Sequence, residues 1–142
     1  MQVDRVIARG QLVPLVFMQD AVAASQTDVQ LPIAEVNAGA GNAIVGYIMP
    51  FSGTIVAISW NLTAAGTTGT FTIGPTVGGT EKTGLTQTVG TAASGRAVVA
   101  RDAIPFAAGD EIGAEITTGG TWDGTSADLC VVVWALANLD GI

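Results

Sequence analysis

The chain has no histidine and a single cysteine in 142 residues. Without imidazole there is no ordinary general base near neutral pH, and Ser-His and Cys-His nucleophile pairs are excluded. One cysteine, Cys130, makes neither an intrachain disulfide nor a zinc site of the Cys/His type. It lies inside the apolar run DLCVVVWALAN and reads as a small core residue. Charge is scarce as well. Asp, Glu, Lys and Arg together make 12% of the chain, where soluble proteins carry about a quarter. The bases are Arg5, Arg9, Lys82, Arg96 and Arg101, spread without a cluster. A nucleic-acid partner is therefore not expected. The longest uninterrupted apolar run, Leu129–Ala137, is nine residues, against the roughly 20 needed to cross a bilayer as a helix; no membrane partner is expected. Arg5 and Arg9 ahead of LVPLVFM imitate a secretory signal, but Asp4, Asp20 and Pro14 interrupt the pattern.

What the chain has in quantity is Thr, Val, Ala and Gly, with 19 glycines and 49% hydrophobic residues. Helix formers such as Lys and Glu are few, so the balance predicts an all-β domain with many turns. Net charge is −7, enough to keep an assembly soluble. So few charges leave much neutral or apolar surface, which is most easily hidden against copies of the chain or a larger assembly.

Residues 53–77 form the most regular stretch. Val56, Ile58, Trp60 and Leu62 share one parity, with Ala57, Ser59, Asn61 and Thr63 on the other. Phe71, Ile73 and Val77 repeat the alternation, and the link 64–69 is small and glycine-bearing. Period-two alternation predicts strands, and a short link predicts an antiparallel hairpin supplying half of a sandwich core. Further strands are expected over 29–36, weakened by Pro32, and over 43–49, 80–89, 96–101, 110–118 and 128–138. The last is apolar on both parities, so both of its faces need cover. One face meets the opposite sheet; a symmetry mate is the economical cover for the other. The sum is an eight-stranded antiparallel β-sandwich, jelly-roll-like, over residues 29–142, with an N-terminal extension over 1–28.

That extension has 15 apolar residues in 28 and one glycine. LVPLVFMQDAVAAS reads either as a short helix with Pro14 in its first turn or as an extended edge segment. It either packs on its own domain or leaves it as an arm that docks on a partner. The arm reading makes Val6, Ile7, Leu12, Val13, Leu15, Val16 and Phe17 the contact residues, with Val132 and Trp134 of the last strand near a subunit interface.

Motifs for chemistry fail on inspection. Gly39 and Gly41 begin like a dinucleotide loop, but Ile44 stands where a small residue is needed and a strand follows instead of a helix. Glycines precede Lys82 and Thr83, but Thr80 and Glu81 spoil the phosphate-loop spacing. Glu111 and Glu115 share a strand face and Asp123 lies near Asp128, which offers carboxylate pairs to a glycosidase or to calcium. Solvated strand ends explain them equally well. No catalytic residue, cofactor or metal is expected. Trp122, in the loop GGTWDG, is either a lid on one end of the sandwich or a ligand contact.

Across YIMPFSGTIVAISWNLT, IPFAAGDEIGAEITT and DLCVVVWALAN, the chain resembles small jelly-roll modules of tailed phages, over about residues 43–138. With an apolar stretch ahead of such a module, it is most similar to capsid decoration (cement) proteins, including those of thermophilic siphoviruses. The resemblance implies a structural virion protein made in the host cytoplasm. It implies a homotrimer on the capsid exterior that clamps the major capsid protein with its N-terminal arms, and it carries no catalytic residues. The alternative is a carbohydrate- or receptor-binding head or tail-fibre module with Trp122 at its site.

Overall fold

A computed structural model describes residues 10–34 and 43–139. The strands are β1 (Gln11–Gln19), β2 (Val29–Gln30), β3 (Gly46–Ile48), β4 (Gly53–Leu62), β5 (Phe71–Val77), β6 (Thr80–Glu81), β7 (Gln87–Val89), β8 (Ser94–Val98), β9 (Pro105–Phe106), β10 (Glu111–Thr118) and β11 (Leu129–Ala137), with one 3-10 turn at Thr83–Leu85. One sheet runs β1-β11-β4-β8, with β9 continuing β8 along the same side of β4. In the other, β10 carries β2 and β3 on one side and β5 on the other, and β5 carries β6 and β7. Every ladder is antiparallel. Counting the interrupted strands as single positions, the first sheet has the order first, eighth, third, sixth, and the second the order second, seventh, fourth, fifth. This is the expected jelly-roll-like sandwich.

The core lies between the sheets. Phe17, Ile55, Ile58 and Leu129 from one side meet Phe71, Ile73, Ile112 and Ile116 from the other, all fully buried. Each such side chain contributes about 1.5–3 kcal/mol by leaving water. Trp60 of β4 meets Phe71 of β5 edge-on across the interior at 6.2 Å.

Three expectations are corrected. First, β4 and β5 are not a hairpin, because they belong to different sheets. Residues 63–70 carry the chain from one layer to the other, and the two apolar parities face each other across the core instead of lying side by side.

Second, Val56 does not share the buried parity of Ile58. The β11 ladder shifts register here, with Trp134 opposite Ala57 and Ala135 opposite Ile55. Val56 is the extra residue of a bulge, which reverses parity along the strand. Ile55 is buried and Val56 is half-exposed.

Third, residues 10–28 are not an arm. Gln11–Gln19 pairs with β11 over nine consecutive residues, and Leu15, Phe17 and Val22 sit in the core. β1 pairs with the edge of β11 that β4 leaves free, and the outer face of β11 stays uncovered. Pro14, which lacks an amide hydrogen, is tolerated because β1 is an edge strand. Val6 and Ile7 lie outside the described residues.

Candidate functional site: the outer face of the β1-β11-β4-β8 sheet

Register places a set of side chains on the outside of the first sheet. From β1 and β11 these are the facing pairs Leu12 and Leu136, Pro14 and Trp134, Val16 and Val132, and Met18 and Cys130. The next ladder adds Ala57, Ser59 and Asn61, and the outermost adds Val98, Arg96 and Ser94. Leu12 is 52% exposed, Val16 36% and Val98 74%. Trp134 is half-buried and its indole Nε1 donates to Ser59 Oγ at 3.1 Å, which holds the ring flat along the sheet. Burial pushes the Cys130 thiol above its ordinary pKa, so it is a poor nucleophile.

A groove of about 360 Å³ crosses this face diagonally, from Leu12 past Trp134 and Ala57 to Val98 and Arg96. The bulge at Val56 turns that side chain into its wall. Arg96 is the only charged residue in the lining. Among the described residues it has no hydrogen-bond or ion-pair partner.

The expected contact residues divide between two environments. Leu12, Val16, Val132 and Trp134 lie on the outer face. Leu15 and Phe17 are 4% and 0% exposed, so they hold their own domain together. Val13 is half-buried beside Tyr47 and Ile48 in a second, smaller cleft along the flank of β1. Phe17 packs edge-on against Tyr47 at 5.5 Å, and the Tyr47 hydroxyl donates to Val16 O at 3.2 Å. Val98, Arg96 and Leu136 were not singled out from the sequence. The two-sided apolarity of β11 was the available signal for Leu136; a strand was expected at 96–101, but nothing in it marked which side chains face outward.

Trp122 is the lid, not a ligand contact. It is 3% exposed, stacks edge-on against Phe71 at 4.9 Å, and donates Nε1–H to Val22 O at 3.2 Å. Gly66 and Gly124 clasp the ring: a Cβ at Gly66 would come within 2.5 Å of it, and one at Gly124 would overlap it. Beside it, Asp123 accepts from the Thr67 hydroxyl and from the amides of Thr67 and Thr68, at 2.8 and 3.0 Å for the amides. The Thr67 hydroxyl first, then the two amides, hold its carboxyl well below the usual carboxylate range. Asp123 therefore ties two loops at one end of the sandwich together. Asp128 does the same from the neighbouring loop, accepting from Ala21 N at 3.1 Å.

The outer face of the second sheet has a different chemistry. Glu115 is buried, accepts from Gln30 Nε2 at 2.9 Å, and is followed in the chain of contacts by Thr76 donating to Gln30 Oε1 at 3.1 Å. Burial, then the charges of Glu81 and Asp28, raise its pKa. Glu81 accepts from the Thr86 hydroxyl at 2.6 Å. These side chains lie over Gly74 and Gly113, where a Cβ would meet Glu81 or Thr76 within 2.6 Å. The glycines give room to polar side chains folded flat on the sheet. No group of three or more acidic or thiol ligands able to hold a metal occurs among the described residues. No helix among them is long and apolar enough to cross a membrane.

The chain matches no protein-family profile, no curated protein and no solved structure.

Proposed function

We propose that the chain is a structural virion protein that sits on the outside of a phage capsid as a homotrimer and stabilises it. The observation that carries this reading is the outer face just described. A sheet face with Leu12, Val16 and Val98 exposed, Val132 and Trp134 half-buried among them, and one unpaired charge, is poorly suited to water and well suited to a protein neighbour. Support also comes from composition, with few charges and no histidine. The jelly-roll-like wiring agrees with the resemblance drawn from the strand and turn sequences.

In this reading Val16, Val132 and Trp134 contact neighbouring decoration subunits. The gripping segment shortens to the residues ahead of Gly10, with Val6 and Ile7 against the major capsid protein. Three modest grips on one rigid body raise the effective concentration of each and slow release. The protein performs no reaction and takes no cofactor, nucleic acid or membrane. The carbohydrate-binding alternative loses its anchor, because Trp122 is inside the domain.

The test is addition of purified chain to mature capsids of its own phage stripped of decoration. Co-sedimentation, trimeric density on the capsid exterior and a raised capsid melting temperature are expected. Val16→Asp with Val132→Asp should abolish all three while leaving the far-UV spectrum and monomer melting intact. Full binding by that double variant would sink the outer face as the assembly surface.

A further inference from the structure

Among the described residues, the large apolar side chains that stand exposed fall into two groups. Leu12, Val16 and Val98 lie on the outer face of the first sheet, around the diagonal groove; Ile44, Ile48 and Phe51 lie on and beside β3. Each group borders a charge, and the two charges are opposite in sign. Arg96 lines the groove. Glu111 stands directly opposite Ile48 in the ladder between β3 and β10, so the two share the outer face of the second sheet. Ile48 is 64% exposed. Glu111 is half-buried and lies over Gly46, where a Cβ would overlap it. Its carboxyl has no hydrogen-bond or ion-pair partner among the described residues. Glu81 and Glu115, on the same face, are already engaged by Thr86 and Gln30.

We propose that the groove receives Ile48 of a second copy, with that copy's Glu111 against Arg96, so that subunits join head to tail. The inference rests on the trimer of the preceding section for the number of copies and names the two surfaces that meet in it. Pairing face to face is the competing arrangement. It brings Arg96 towards Arg96 and supplies no carboxylate, because none of the outward residues of β1, β11, β4 or β8 is acidic. Arg96 would then lose water without gaining a partner, which is costly. The head-to-tail contact gives both lone charges a charge-assisted hydrogen bond. The spacing agrees. Residues directly opposite in a ladder, as Ile48 and Glu111 are, lie about 5 Å apart. Val98 and Arg96, two residues apart on one side of β8, lie about 7 Å apart. An isoleucine set against Val98 and Trp134 therefore leaves its neighbouring carboxylate within reach of the guanidinium. The two surfaces also adjoin around the β1 edge. The smaller cleft, lined by Val13, Ile48 and Phe51, runs along the flank of the strand whose Leu12 opens the groove. Head-to-tail contact between adjoining surfaces turns from copy to copy and closes a ring, where contact between opposite faces would run on as a filament.

The experiment uses the full-length chain carrying Cys130→Ala, so that every thiol is an introduced one. Ile48→Cys together with Val98→Cys, oxidised with diamide, should give disulfide-linked multiples of 14.3 kDa up to the trimer on a non-reducing gel. Neither cysteine alone should cross-link. Light scattering reads the charge pair separately. Arg96→Glu and Glu111→Arg should each raise the concentration needed for the trimer by about tenfold or more, and the two together in one chain should restore it. Dimers cross-linked through Val98→Cys alone would assign the groove to face-to-face pairing and overturn the proposal. Failure of the double charge reversal to restore association would overturn it as well. A trimer without the link between positions 48 and 98 would sink this pairing and leave the trimer standing. A monomer at every concentration would sink both, with capsid co-sedimentation still judging the virion reading by itself.

Discussion

Two buried or tethered carboxylates respond to acid in opposite senses. Asp123 is held ionised by the Thr67 hydroxyl and two amides. Its folded pKa lies below its unfolded one, near 3.9, so its contribution is present above about pH 4 and fades as pH falls through the folded value. Glu115 is the reverse. Burial and the neighbouring acids raise its folded pKa, so stability is lost as pH rises through that value and the charge forms under cover. Urea titrations should find Asp123→Asn destabilised at pH 7 and level with wild type in strong acid. Glu115→Gln should be more stable than wild type at pH 7, with the advantage gone below about pH 4, where the unfolded carboxyl is protonated too. A stability profile for Glu115→Gln parallel to wild type would remove burial as the cause. Trp122 is the other residue of consequence. Trp122→Ala empties a site closed by Phe71, Gly66 and Gly124 and should cost about 3–5 kcal/mol in denaturant unfolding. The sequence could not choose between lid and ligand contact for it, because an aromatic among glycines looks the same in either role. The choice was made by Gly66, far off in sequence.

At the scale of elements, β1 separates what is dispensable from what is not. Removing residues 1–9 should leave melting temperature nearly unchanged. Removing residues 1–28 takes away a nine-residue ladder with β11 and the buried Phe17 and Leu15. That chain should fail to fold or should aggregate through the bared edge of β11, as judged by soluble yield and circular dichroism. A soluble, cooperatively folded 29–142 fragment would contradict the place given to β1. Alternation made β4, β5, β10 and β11 legible, along with their approximate limits. It said nothing about which strand lies beside which. Period two is satisfied equally by a hairpin and by two strands facing across a core, hence the misplaced partnership of β4 with β5. The bulge at Val56 was hidden for a related reason. It is a property of the ladder with β11, and the local sequence GTIVAISW reads smoothly through it. Residues 11–19 were obscured by Pro14, which is as acceptable in an edge strand as in a first helical turn.

For the molecule as a whole, the two outer surfaces have different duties, one apolar with a single cation and one polar with glycines under its acids. The apolar surface was foreseeable from β11 alone, since a strand greasy on both sides implies a neighbour on each. Its extent was not, because Leu12, Val16, Arg96 and Val98 reach it only through pairing with distant strands. The ladder between β1 and β11 also has a mechanical meaning. Gln11 stands opposite Ala137, so the chain enters and leaves the domain at the same end of the same ladder. A pull between the two ends would open that ladder one pair at a time, like a zipper. A pull along β1 against the rest of the body would instead load all nine pairs together. The direction from which a tether draws on Gly10 thus decides whether the domain peels easily or holds fast.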